Sequence, residues 1–285
     1  MNATEKRNRF RAILKGDICV SPATVWDALS ARVAEAAGFE CGILSGSVSA
    51  ATVLGAPDMA LQTLTEFAAQ VRCVTRAGNL AVFVDADQGY GNALNAMRTV
   101  EELEHAGLAG LAIEDLVMPA PFGVHGEDKL ISVQEAVGKY KAALSARRDS
   151  SLVIVARTAS LRIEPIAQVV ERVRAYADTG VDGIFLTSLK KLEQLDAVRA
   201  AVNIPIVLGS APGITRADVQ TRGVRFRLQG HAVLAACAKA MYDTFTHLKA
   251  DGDAAGLKEK IATPQEMARL LKVADYQRWN TDYLN

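Results

Sequence analysis

Two carboxylates set two residues apart, Asp85 and Asp87, end the run AVFVDADQGYG (residues 81–91), with Gly89 and Gly91 directly after them. Side chains at i and i+2 of a strand point the same way, so both acids face one spot. Glu114, from GLAIED (residues 110–115), can reach that spot from the next strand. Three carboxylates so close raise one another's pKa unless a cation sits among them. The donors are hard oxygens with no His or Cys cluster, which points to Mg²⁺ or Mn²⁺ rather than Zn²⁺. Mg²⁺ keeps several waters, so Asp85 is the expected direct ligand, with Asp87 and Glu114 acting at least partly through water. A structural reading stands beside this one: the acids could cap helices or pair with Arg and Lys at a rim.

Other groups lie at similar places. Arg157 follows LVIV directly, and a forked donor leaving a buried strand suits a substrate carboxylate, or else an internal pair with one of the acids. Ser45, Gly46 and Ser47 offer hydroxyls and backbone N–H groups where a glycine lets a ligand approach, although small residues often end strands. His231 opens a helix, whose positive end disfavours imidazolium, and a neutral ring could bind a carboxylate through one N–H. His105, His125 and His247 read as helix-surface or loop residues.

Positioning these groups requires a repeated strand and helix. Short apolar runs occur at residues 19–21, 41–47, 80–87, 110–115, 152–158, 183–188, 204–210 and 224–230, most of them continuous, as in parallel strands buried on both faces. Amphipathic stretches such as TLTEFAAQVRCVTRAG alternate with them, this one with Thr63 and Glu66 in capping-box spacing. GFECGIL, GLAGLAI and GVDGIFL repeat one helix-to-strand join. Eight such units over 285 residues predict a closed (β/α)8 TIM barrel, an α/β fold, as one domain over residues 1–285. Residues 250–285 form a C-terminal helical extension whose Tyr276, Trp279 and Tyr283 need burial, on the same barrel or on a neighbouring subunit.

Bulk properties exclude several classes. Lys plus Arg and Asp plus Glu number 32 each, which gives no sign of a nucleic-acid or membrane partner. The four cysteines are scattered and read as reduced thiols of a cytoplasmic protein. The polar N-terminus predicts no signal peptide, and no apolar run is long enough to span a membrane. G-x-S-x-G, Walker A and H-E-x-x-H patterns are absent.

DADQGYGN, AGLAGLAIED, VIVART and GFECGILSGSVSA together resemble the phosphoenolpyruvate mutase/isocitrate lyase superfamily over nearly the whole chain. EDLVMPAPFG, VQEAVGKYKAALSAR and GHAVLAACAKAMYD look most like its oxaloacetate decarboxylase branch. The loop at residues 116–130 has no cysteine where the lyase members carry a K-K-C-G-H loop, and a phosphonomutase-type loop is not matched.

The resemblance implies Mg²⁺-dependent decarboxylation of oxaloacetate to pyruvate and CO₂ without an organic cofactor. It implies that Asp85 binds the metal, with Asp87 and Glu114 in its water shell, and that Ser47, Arg157 and His231 hold the substrate. Asp58, in GAPD, matches a superfamily aspartate near the active site. It further implies a homotetramer, a dimer of dimers exchanging a C-terminal helix. Ala159, where the branch reads A-R-T-N-A, and a missing tyrosine near Ala211 depart from its pattern at positions expected to face the substrate. The alternatives are another carbon–carbon lyase or phosphonate-cleaving member acting on a different α-keto or 2-hydroxy acid, and an inactive dicarboxylate-binding barrel.

Overall fold

The computed structural model describes residues 1–123 and 128–285. Eight parallel strands follow one another in chain order: β1 (Ala23–Thr24), β2 (Cys41–Leu44), β3 (Ala81–Asp85), β4 (Gly110–Glu114), β5 (Val153–Thr158), β6 (Gly183–Leu186), β7 (Ile206–Leu208) and β8 (Val224–Arg227). Val20 pairs in parallel with Phe226: Val20 N donates to Arg225 O and Arg227 N to Val20 O, both at 2.9 Å. The first segment is thereby joined to the last, in the (β/α)8 arrangement expected. One boundary is corrected. The first strand lies at Ala23–Thr24 rather than at residues 19–21, and Val20 supplies the bridge to β8 instead.

The parity of the strands decides which side chains meet. Cys41 and Ile43, Ala81 and Phe83, Ala112, Val153 and Val155, Phe185, Val207 and Phe226 form the interior cluster. Alternate residues, among them Leu44, Val82, Val84, Leu111, Ile154 and Ile184, pack outward against the helices. Each interior position excludes water at roughly 25 cal/mol per Å² of apolar area.

The helix Ala3–Lys15 was not expected from a stretch read only as polar. Asn2 and Glu5 cap it reciprocally, and Phe10, Ile13 and Leu14 form a stripe on one face. That face joins the interior cluster, with Phe10 5.4 Å from Phe83 and 5.3 Å from Phe226, ring centre to ring centre. Lys6 and Arg7 on the same helix are buried against carbonyls of Thr75, Gly78, Leu108 and Glu104.

Among the described residues no helix is long and apolar enough to cross a membrane. The helix Ala232–Lys249 has no buried residue: Val233, Met241, Tyr242 and Phe245 are all exposed. The helix Val273–Leu284 likewise exposes Tyr276, Trp279 and Tyr283, so within one chain these aromatics are not buried on their own barrel.

Candidate active site

The inward rows run on past the apolar core and change character at the carboxyl ends of the strands. Ala81 and Phe83 are followed by Asp85, Ala112 by Glu114, and Val153 and Val155 by Arg157. Glu114 stands opposite Arg157 in register across β4 and β5. Three charged side chains therefore enter the barrel mouth from adjacent strands, and they find one another. Arg157 Nη1 donates to Asp85 Oδ2, and Nη2 lies 3.2 Å from Glu114 Oε2. The Arg157 guanidinium also sits over the Phe185 ring, 5.5 Å from its centre. Burial works against its charge, but Asp85 and Glu114 outweigh that and hold it above the ordinary arginine value.

Asp87 arrives by a different route. It has left the strand and adopts a left-handed conformation, φ 46°, with its carbonyl accepting from Glu114 N at 2.8 Å. Its carboxylate rests on Gly46, where an added Cβ would collide with Oδ1. The glycine of Ser45–Ser47 is thus explained by a close approach of an acid. The turn after Asp87 is anchored by the buried Lys139, whose Nζ donates to Gln88 O at 2.9 Å.

Burial, then Asp85 and Glu114, push the Asp87 carboxyl up to about 8. Burial also raises Glu114, to about 7, with Arg157 opposing and Asp85 adding to the rise. The folded chain consequently holds protons at a pH where the unfolded chain has lost them. The stability these groups contribute is complete below the ordinary carboxylate range and is lost as pH rises towards 7 and 8. A cation taking these oxygens must displace those protons. We expect Mg²⁺ to raise the melting temperature more at about pH 8 than at about pH 6, measured by calorimetric melts with and without the metal.

A cavity of 390 Å³ opens over this group and is lined by Asp58, Asp87, Glu114 and Arg157 together with the stem of the 116–130 loop, where Leu116 pairs with Leu130. Asp58 is exposed at its edge, and its carboxyl is raised by partial burial and by Asp85. Ser45, Ser47 and His231 do not line it but form their own line beside it. Ser45 Oγ lies 3.0 Å from Ser47 Oγ and 3.1 Å from His231 Nε2, and His231 Nδ1 is 3.1 Å from Thr24 Oγ1. Burial lowers the His231 pKa and so favours a neutral ring, with Asp85 and Asp58 opposing; the leading cause is burial rather than the helix end. Both ring nitrogens already have partners, so a carboxylate would have to compete for an N–H.

Several positions were missed or misplaced in the sequence. Nothing in the sequence marks Thr24, because the two-residue strand Ala23–Thr24 has no apolar run of its own. Lys129 and Arg162 add positive charge to the cavity wall, Arg162 being paired with Asp128 at 2.5 Å. Asp115, next to Glu114, faces outward and is fully buried, accepting from Thr158 Oγ1 and Tyr176 OH at 2.7 Å each. Ala159 and Ala211 are buried and line no part of the cavity, contrary to the expectation that both face the substrate. His105 and His247 sit on helices as expected, and His125 lies outside the described residues.

Residues 10–249 match the phosphoenolpyruvate phosphomutase family. The chain is 46% identical over 282 residues to the oxaloacetate decarboxylase of Bradyrhizobium sp. (strain ORS 278), covering 98% of this chain and 97% of that one. It is 49% identical over 247 residues to the oxaloacetate decarboxylase of Rhodopseudomonas palustris (strain BisB18), covering 86% and 85%. This chain belongs to the phosphoenolpyruvate mutase family. Its fold superposes on the phosphoenolpyruvate phosphomutase of Streptomyces platensis subsp. rosaceus with a TM-score of 0.88 at 27% identity, over the full length of both. It also superposes on an oxaloacetate acetylhydrolase bound to 3,3-difluorooxalacetate with a TM-score of 0.87, again at 27% identity, over 99% and 98%.

Divalent-metal dependence is general in this superfamily, and the residues of this member can be tested against it. Among the described residues no three His, Cys, Asp or Glu side chains converge as a ready-made ligand cage. Asp85 Oδ1, however, is buried and has no hydrogen-bond partner among the described residues, and Glu114 Oε2 is buried with only the unaligned contact to Arg157. One free inner oxygen with further carboxylates nearby fits an ion that takes one protein ligand directly and keeps its waters.

Proposed function

We propose that this enzyme, a lyase by family, decarboxylates oxaloacetate to pyruvate and CO₂ and uses Mg²⁺, with Mn²⁺ able to replace it. What carries the choice of reaction is the likeness to oxaloacetate decarboxylases, 46% over nearly the whole of both chains. The missing cysteine in the 116–130 loop supports it.

A divalent ion held by Asp85 Oδ1 would stabilise the negative charge left on the substrate as CO₂ departs. The chain's own residues do the rest. Arg157, now tied to Asp85 and Glu114, presents a fork to a substrate carboxylate and exchanges an internal carboxylate for an external one. Glu114 and Asp87 would hold waters around such an ion. Phe185 beneath Arg157 and the apolar interior below it keep bulk water from reaching the mouth from inside the barrel. Ser47, Ser45 and His231 border the other side, where a hydroxyl line can bind the substrate's second polar end.

A screen of oxaloacetate, malate-type and phosphonate substrates tests the reading: pyruvate release from oxaloacetate supports it, and turnover only of another compound overturns it. The likeness to oxaloacetate acetylhydrolase favours hydrolytic C–C cleavage of the same keto acid as the second reading.

A small-molecule keto acid is the expected partner, and the four free cysteines favour the cytoplasm. The exposed apolar face of Ala232–Lys249 and the 1100 Å³ groove lined by Trp26, Leu234 and Met241 support a homo-oligomer, and the exchanged C-terminal helix that the resemblance implies would make it a dimer of dimers. The extension at residues 250–285 belongs to the same single domain in this reading.

A further inference from the structure

We infer that Thr24 is a positioning residue that fixes His231 in the tautomer protonated at Nδ1, leaving Nε2 as a proton acceptor aimed at Ser45. The available hydrogens decide the tautomer. Thr24 Oγ1 lies 3.3 Å from Gly230 O and 3.1 Å from His231 Nδ1. A hydroxyl carries one hydrogen, and a carbonyl can only accept. Gly230 O has no other donor among the described residues, so the Thr24 hydrogen belongs there. The contact with the ring is then satisfied only if Nδ1 donates. Thr24 is buried and Gly230 half-buried, so this hydroxyl is the donor that the described residues bring to the carbonyl.

The other side of the ring agrees. A neutral ring protonated at Nδ1 has a lone pair at Nε2, and the neighbour at 3.1 Å, Ser45 Oγ, can donate into it. Ser45 Oγ in turn is 3.3 Å from Val48 N and 3.0 Å from Ser47 Oγ, and it can accept from both. Every hydrogen is used once and every acceptor is served. The opposite tautomer turns the Thr24 hydrogen onto Nδ1 and leaves Gly230 O without a protein donor among the described residues. Burial of the ring favours the neutral form, so the choice of tautomer is a real one in the resting protein.

The consequence is directional. With Nδ1–H tied to Thr24, a proton moving between the imidazole and the site passes only at Nε2, through the Ser45 and Ser47 hydroxyls. This line begins where Ala232–Lys249 starts and ends at the helical turn Gly46–Ser49. The tautomer is a property of the free protein, so it stands or falls separately from the decarboxylase reading.

Long-range ¹H–¹⁵N spectra of the full-length protein labelled in its four histidines test this. His231→Asn assigns the signals by their disappearance, and the pH is set well above the imidazole range. We expect Nδ1 to show the protonated shift and Nε2 the unprotonated one. Thr24→Val should move the ring towards Nε2–H, and Thr24→Ser should restore the proton to Nδ1. A wild-type ring protonated at Nε2, or a Thr24→Val ring that keeps the proton on Nδ1, overturns the inference. The wild-type spectrum decides the matter even if Thr24→Val fails to fold.

Discussion

Asp85→Asn is expected to lower kcat/KM for oxaloacetate by about three orders of magnitude while leaving the fold intact. The substitution keeps the shape of the side chain and its place in the inward row after Phe83, so the packing below it is unchanged. It removes the charge that faces both Arg157 and the site of the ion. Oδ1 of Asp85 is the inner carboxylate oxygen that is buried and unclaimed, and an amide there is a far poorer ligand for a hard cation. Activity assays with a Mg²⁺ titration, alongside circular dichroism, check this. A variant that keeps wild-type turnover in metal-depleted buffer would contradict it.

The second large effect concerns Arg157, which serves both substrate and fold. In the resting protein it neutralises two carboxylates at the barrel mouth, Asp85 with a direct hydrogen bond and Glu114 at 3.2 Å. Arg157→Met leaves both acids buried without a counter-charge. Removing one partner of such a group costs about 3–5 kcal/mol. The loss should grow with rising pH, because the raised Glu114 carboxyl must then ionise unpaired, and Mg²⁺ should recover much of it. Arg157→Lys keeps the charge but loses the fork, so it should stay folded and lose about 10²-fold in kcat/KM. Thermal melts with and without Mg²⁺, together with steady-state kinetics, separate the two roles. A metal-free Arg157→Met protein as stable as wild type at every pH would remove the structural half of the argument.

The sequence carried the middle of the barrel well. Strands such as AVFVD and LVIVART are continuous apolar runs that stop at a charge, and a run buried on both faces leaves few other places to go. Asp85, Glu114 and Arg157 were legible for the same reason. Parity could have gone further. Adjacent residues of a strand face opposite ways, so Glu114 inside puts Asp115 outside, where Tyr176 and Thr158 hold it.

What stayed hidden depends on contacts distant in the chain. Ala3–Lys15 shows only three apolar residues on its buried face, and their role appears only when Phe10 meets Phe83 and Phe226. Thr24 has no chemistry of its own until Gly230 and His231 arrive from the other end of the chain. Asp87 on Gly46 is likewise a contact between two loops. The exposed face of Ala232–Lys249 finds no cover among the described residues.

The most direct measurement is the identity of the products formed from oxaloacetate, followed by NMR with Mg²⁺ and with a chelator, after subtraction of the enzyme-free rate. We expect pyruvate and CO₂ in equal amounts from the wild type with Mg²⁺, and no enzymatic rate with chelator or from Asp85→Asn. Oxalate and acetate as products, or pyruvate formed at an undiminished rate under chelation, would contradict the proposed chemistry.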